Sequence, residues 1–408
     1  MARLSGGSEW ALVLSPEPPF PIAGGGAMRS ASLCRFLAER YRLHLVTFTT
    51  SAGTENTLPA DLADRLHCVR LPSHGKSLAA RAIRNTSRLL RGALPLSDRF
   101  SNAQARQQVA GAIAGRQYRL ALVEHFWCAC YEQMLRPQAA YVMMDMHNIE
   151  SALHARCAET DGWPARWAHR AFAGMARAQE QQMLPRFDLV LAASEPDQER
   201  IRQLAPGARV TVYPNAIPLC FPAAVEEEHC IAFSGNLEYH PNVAAVRFFA
   251  GQVWPVLREQ DPSLRWRLIG KNEWAVRRWT AADPRIETTG AVEDAVAELA
   301  RVRVVVVPLL AGSGTRIKIL EAWPAGRAVV STRVGAEGLP ALDGGNLLLA
   351  DSADEIRDAV LGLLRDPDRR RRLGCAGRRL VEEQLCWPVV WRRLEQDLAA
   401  HWAERTAP

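Results

Sequence analysis

A hydroxyl, an ammonium and a carboxylate recur at intervals of three in Thr315, Lys318 and Glu321, within the run VRVVVVPLLAGSGTRIKILEAWPAG at 302–326. On a helix that spacing places all three on one face. Ahead of them a β-branched run, Val304 to Val307, stops at Pro308, and a turn follows at Gly312, Ser313 and Gly314. A strand that passes through a Gly-rich turn into a helix builds an anion site, because free backbone N–H groups and the positive end of the helix dipole face the carboxyl edge of the sheet. The cation and N–H groups suit a diphosphate, and the carboxylate suits the vicinal hydroxyls of a ribose. Taken singly, the charges read as a solvated helix face with a Lys–Glu pair; their combination at one strand-to-helix switch favours the anion site. The GxxxxGK[ST] spacing is absent, and Ile317 stands where GxGxxG needs its third glycine. Only three lysines occur, Lys76, Lys271 and Lys318, in a chain whose positive charge is otherwise arginine. One of them falls in this stripe, where an ammonium is not interchangeable with a guanidinium.

The elements that must position this stripe follow from periodicity. At 408 residues the chain exceeds what one core usually organises, and two domains of about 150–200 residues are expected. Strands read at Ala11–Leu14, Leu43–Phe48, Leu66–Leu71, Leu120–Val123, Tyr141–Met144, Leu189–Ala192 and Val210–Tyr213. Helices read at Met28–Arg40, Leu78–Arg91, Asn102–Ala114 and Ala165–Met183. The stretch 214–229 breaks the alternation with three prolines and an acidic run, which places a linker at 216–230. Alternation then restarts, with strands at Ile231–Ser234, Arg265–Ile269, Arg285–Glu287, Val302–Val307, Ala328–Ser331 and Leu347–Leu349. Helices fall at Val243–Leu257, Glu293–Ala300, Thr315–Ala325, Ala353–Arg365 and Arg369–Gln384, with a last one from Pro388. Short β-rich runs separated by helices specify an α/β fold: two doubly wound, Rossmann-like domains facing across a cleft.

No apolar run approaches the ~18 residues that span a bilayer, and the stretch from Trp10 to Ser15 is too short for a signal peptide, so a cytoplasmic protein is expected. Nine dispersed cysteines without a CxxC pair read as reduced thiols, and neither a metal nor a cofactor is expected. The DxD at Asp366–Pro–Asp368 reads as a helix N-cap. Lys76, Arg81, Arg84, Arg88 and Arg91 alternate with Leu78, Ile83, Leu89 and Leu90. That basic amphipathic stretch, 76–91, is either a contact for an anionic membrane surface or a solvated face. A nucleic-acid partner is not expected, since no recognised binding module is present.

Several motifs in order then resemble a known family. FSGNLEYHPN (233–242), RWRLIG (265–270), the GSGTRIKILEA run, VVSTRVGAEGL (329–339) and LCWPVVWRRLEQDL (385–398) look like family-4 glycosyltransferases of GT-B fold, the group 1 type. Gly24–Gly26 ahead of a helix, MDMHNIES (144–151), FDLVLAASEPD (187–197) and VTVYPNAI (210–217) are similar more loosely. The resemblance implies an N-terminal acceptor-side domain over 1–215 and a nucleotide-sugar-binding domain over 231–386. A C-terminal helix at 387–408 would pack back on the first domain. It also implies a sugar moved with retention from a nucleotide-diphosphate sugar to a glycan or lipid-linked acceptor, without a metal.

Residue by residue, the family's Glu-x7-Glu signature is half present. Glu321 matches its second glutamate, the ribose ligand, and Ser313 stands at the first. Backbone N–H groups at Gly312, Ser313, Gly314 and Thr315 would then contact the sugar. The loop after the domain's first strand, from Gly235 and Asn236, lacks the Arg and Lys common in the family, so Arg316 and Lys318 are expected to stabilise the departing diphosphate. His125 and His147, each following a strand, match positions that bind sugar or acceptor. Gly24, Gly25 and Gly26 would let backbone approach the diphosphate or acceptor. A nucleotide-sugar epimerase of the same fold and a non-catalytic sugar-nucleotide binder are the competing readings.

Overall fold

The structure, a computed structural model, describes residues 9–22, 24–50, 58–72, 86–88, 90–160, 162–163, 165–219, 221–223, 225–311 and 316–406. Contacts divide the chain into two compact units, one of Met1–Asn215 with Asp397–Pro408, the other Ala216–Gln396.

The first unit holds a seven-stranded sheet: β1 (Trp10–Ser15), β2 (Arg42–Thr49), β3 (Arg65–Arg70), β4 (Leu120–Glu124), β5 (Val142–Met146), β6 (Leu189–Ala192) and β7 (Val210–Val212). Its order is β3-β2-β1-β4-β5-β6-β7 and every pairing is parallel. The second unit holds β8 (Cys230–Ser234), β9 (Arg265–Ile269), β10 (Ile286–Thr288), β11 (Val304–Val307), β12 (Ala328–Ser331) and β13 (Leu348–Leu349). Their order is β10-β9-β8-β11-β12-β13, again all parallel. Both are doubly wound sheets, as the alternation of elements predicts. Central parallel strands are covered on both faces, which is why Val304, Val305, Val306 and Val307 can all be apolar and all buried.

Each strand order reverses once, between β1 and β4 in the first sheet and between β8 and β11 in the second. At such a switch point the neighbouring connections run to opposite faces and leave a crevice at the carboxyl ends of the strands. Gly24 follows β1 and His125 follows β4; Gly235 follows β8, and the helix carrying Lys318 follows β11.

Several element bounds differ from the sequence reading for local reasons. The helix expected from Met28 begins at Gly25, with Met28 N donating to Gly24 O at 2.9 Å. Gly25 and Gly26 are therefore its first turn rather than a free loop. The helix expected from Thr315 to Ala325 spans only Ile317–Ala322, with Arg316 at its N-cap. The helix expected over Val243–Leu257 is interrupted by a π turn at Phe249–Val253. Pro255 lacks the N–H that would continue the ladder, and widening the turn absorbs the loss. Asp366 does cap a helix, its carboxylate accepting from Arg369 N at 2.8 Å. β8 begins at Cys230. The basic stretch 76–91 lies outside the described residues except for 86–88, 90 and 91.

Candidate active site

Lys318 is the centre of the second unit's switch point. Its Nζ lies 5.2 Å from the centroid of Phe233, and a methyl built on Gly235 would sit 2.6 Å from the same nitrogen. Among the described residues the ammonium has no hydrogen bond or ion pair. Burial holds it down at about 8, with Glu321 opposing the shift. Glu321, one turn on, is pushed the other way: burial raises its carboxyl to about 7, against the pull of Lys318 and the Ser234 hydroxyl. A cation and a carboxylate thus share a helix flank near neutrality, each available to a ligand. Thr315, the third member of the expected stripe, lies with Gly312, Ser313 and Gly314 outside the described residues. The described helix, Ile317–Ala322, carries Lys318 and Glu321.

Arg316 is 7% exposed, its guanidinium donating to Glu337 Oε2 at 3.0 Å. Glu337 had no sequence signal beyond its place in VVSTRVGAEGL. Asn236 Oδ1 accepts from Glu238 N at 3.2 Å and from Asn272 Nδ2 at 3.0 Å, and its backbone O accepts from Asn242 Nδ2 at 2.7 Å. The Asn236 amide oxygen therefore holds the loop that presents Gly235. Two glycines make that loop possible. Gly235 has a φ of 139°, Gly270 a φ of 142°, and a methyl on Gly270 would fall 2.0 Å from Gly235 O. Gly235→Ala is expected to displace the Lys318 ammonium and to add backbone strain of about 1–3 kcal/mol. Calorimetric titration with nucleoside diphosphates would show affinity down by about tenfold or more, alongside a lower denaturant midpoint.

The first unit gathers a second cluster, at the carboxyl ends of β1, β4 and β5. His125 and His147 stack with centroids 3.6 Å apart, and Trp127 stacks on the far side of His125 at 4.2 Å. A methyl on Gly26 would meet His147 Nδ1 at 3.5 Å, so the glycine turn lies against that ring. His125 has a φ of 59°, rare for a residue with a side chain. Burial, then His147, pushes its pKa well down, which keeps the imidazole neutral.

Sequence reasoning missed what holds this cluster. Arg29, buried in the helix after β1, donates from Nε to Asp145 Oδ1 and Oδ2 at 2.9 Å and from Nη2 to Oδ1 at 2.5 Å; its Nη1 donates to Tyr213 O. His147 Nε2 lies 3.0 Å from Asp145 Oδ2. The Arg29 guanidinium and His147 hold Asp145 well below the usual carboxylate range despite its burial. Glu124, fully buried, is raised to about 7, chiefly by burial. Glu150 accepts from Trp127 Nε1 at 2.9 Å and is likewise raised to about 7 by burial. Asp145 and Glu150 stand inside MDMHNIES, the signal that could have drawn attention to them; nothing local marks Arg29 as their partner. Among the described residues, Glu124, Asp145 and His147 are the group whose ligand atoms converge, within 4.8 Å, as a metal site would need. Arg29 already pairs with Asp145 there, and burial favours the neutral form of Glu124.

Two nucleotide-type sheets, with a cation–carboxylate helix at one switch point, define the class, and comparison with known proteins agrees. Residues 228–366 match the family described as glycosyl transferases group 1. No curated protein matches the chain in sequence. Among solved structures, sucrose-phosphate synthase from Thermosynechococcus elongatus is similar at a TM-score of 0.73 and 16% identity, covering 97% of this chain and 100% of that one. HepE from Anabaena, in complex with UDP and glucose, is similar at 0.65 and 13%, covering 96% and 99%. WaaG, a glycosyltransferase involved in lipopolysaccharide biosynthesis, is similar at 0.62 and 13%, covering 94% and 98%. The fold is GT-B, as expected.

Proposed function

We propose that the protein transfers a sugar from a nucleotide-diphosphate sugar to a glycan or lipid-linked acceptor, with retention of anomeric configuration and without a metal. The reading rests on one observation above the rest: a half-buried lysine with no described protein partner, seated against the Gly235 backbone one turn from a carboxylate, at the β8/β11 switch point. In this reading Lys318 binds the diphosphate and Glu321 accepts from the ribose hydroxyls. Departure of the nucleoside diphosphate breaks the bond between the anomeric carbon and the phosphate oxygen, and Lys318 stabilises the charge left behind. The acceptor oxygen forms the new bond on the same face, and its proton passes to the departing phosphate. Arg316 supports the site through Glu337 rather than by touching phosphate. The neutral His125 with His147 and the Gly24–Gly26 turn would carry sugar or acceptor hydroxyls in the first unit.

HepE's complex with UDP and glucose and WaaG's part in lipopolysaccharide biosynthesis support a nucleotide-sugar donor and a role in surface polysaccharide. A thermal-shift screen of UDP-, GDP- and ADP-sugars is the test. One nucleotide series should raise the melting temperature of the wild type, and neither Lys318→Ala nor Glu321→Ala should respond. A flat response across all three series, with no transfer to any acceptor, would overturn the assignment.

A further inference from the structure

Among the described residues no side-chain hydrogen bond holds the His125 imidazole, so the rings stacked on it fix its plane. Its backbone is set separately. The left-handed φ of 59° is held by His125 N donating to Asp145 O and by His125 O accepting from Cys128 N, each at 3.0 Å. Trp127 lies on the face of the imidazole away from His147, at 4.2 Å and an interplanar angle of 15°. Phe100 runs parallel to the indole in turn, at 5.9 Å and 4°.

Trp127 is half-buried, and an acid fixes its orientation. Its Nε1–H donates to Glu150 Oε1 at 2.9 Å, and Glu150 is 5% exposed. Glu150 opens the helix Glu150–Thr160, and the buried Glu180 secures that first turn, its Oε1 accepting from Ser151 N at 3.3 Å. The histidine plane thus depends on an indole, the indole on a carboxylate, and the carboxylate on a tethered helix start. Burial disfavours the ionised form of Glu150, which makes a carboxylate a costly partner for one indole N–H. What it supplies is orientation: an indole held at Nε1 cannot swing about its side-chain torsions, and a flat surface so held fixes the ring against it. From the reading that His125 meets a sugar or acceptor hydroxyl, we infer that Trp127 and Glu150 are positioning residues for that site. Glu150 holds the indole through Nε1, and the indole holds the imidazole at the angle that leaves its nitrogens to the ligand.

Proton–carbon correlation spectra of the full chain, labelled at histidine Cε1, test this, with His125 assigned by its loss in His125→Gln. In the wild type the His125 signal should lie upfield, under the ring currents of Trp127 and His147, and titrate below the ordinary histidine range. Glu150→Leu frees the indole; the signal should move toward that of an unstacked histidine, and its midpoint should rise by about one pH unit or more. Glu150→Gln keeps an oxygen for the Nε1–H and should restore the wild-type signal. Trp127→Phe keeps a ring but has no N–H, and should behave as Glu150→Leu does; it also serves if Glu150→Leu does not fold by circular dichroism. The double variant should be no worse than either single one, since both break the same link. Methyl glucosides, galactosides and mannosides serve as hydroxyl probes. One of them should shift the His125 signal in the wild type and in Glu150→Gln, with affinity about tenfold weaker in Glu150→Leu. A lower melting temperature with an unmoved His125 signal in Glu150→Leu and Trp127→Phe would overturn the inference, showing a structural role alone, and would leave the reading of His125 standing. A signal that answers to the variants but to no glycoside and no nucleotide sugar would overturn that reading, and the positioning role with it.

Discussion

Affinity for the nucleotide-diphosphate sugar is expected to peak between pH 7 and 8 and to fall about tenfold per pH unit on either side. The limits come from the two groups on the Ile317–Ala322 helix. Burial holds Lys318 at about 8 in the free protein, and a diphosphate favours its charged form; above that pH, binding must first restore a proton. Burial holds Glu321 at about 7, and ribose hydroxyls favour the ionised carboxylate; below that pH, binding must first remove one. Calorimetric titration across pH 5.5 to 9.5, roughly the span that brackets both groups, would trace the profile. Glu321→Gln should flatten the acid limb and Lys318→Met the alkaline one, each lowering affinity at the optimum by about 10- to 100-fold. A monotonic profile in the wild type would detach the ligand from this helix.

The same burial carries a stability cost with a definite sign. A carboxylate whose folded pKa is raised stabilises fully below its unfolded value and loses that contribution as pH rises through the folded one. Glu321→Gln should therefore melt higher than the wild type at pH 8 in the absence of nucleotide, even as it loses binding. Stability traded for a poised site would show as a variant that is firmer and inactive.

Asp145→Ala is expected to cost about 3–5 kcal/mol in the first unit, by leaving the Arg29 guanidinium buried without its carboxylate. Both side chains are essentially inaccessible, so water cannot take the lost place. Because Arg29 also donates to Tyr213 O, the change loosens the ends of β1, β5 and β7 together. Urea titration followed by hydrogen exchange would show the drop confined to residues of the first unit. Arg29→Met with Asp145→Leu should recover much of the loss, since an apolar pair of similar volume needs no charge compensation. Acid should mimic the single variant. Asp145 is held below the carboxylate range, so its contribution is present above pH ~4 and drains away as pH falls through its folded value.

Much of this protein was legible in one dimension. The strands of the described residues fall within a residue or two of where β-branched runs and their breakers place them, because period and composition are local signals. Helix starts were less legible. Gly25 and Gly26 look like a loop by composition yet form a first turn. The candidate site divides the same way. Lys318 and Glu321 were visible through spacing on one segment, and His125 and His147 through their positions after strands.

Tertiary structure alone decided the partners. Arg29 lies 116 residues from Asp145, and only the order β1-β4-β5 brings the helix after β1 over the end of β5. Arg316, a candidate phosphate ligand by spacing, pairs with Glu337 from the segment after β12, and the stacking of His125 on His147 depends on β4 and β5 being neighbours. Sequence by itself determined the alternation of elements, the two nucleotide-type sheets and the residues able to do chemistry, since each depends on neighbours along the chain. Which of those residues stay available to a ligand was settled by burial and by ion pairs across the sheet order, quantities that no local pattern encodes.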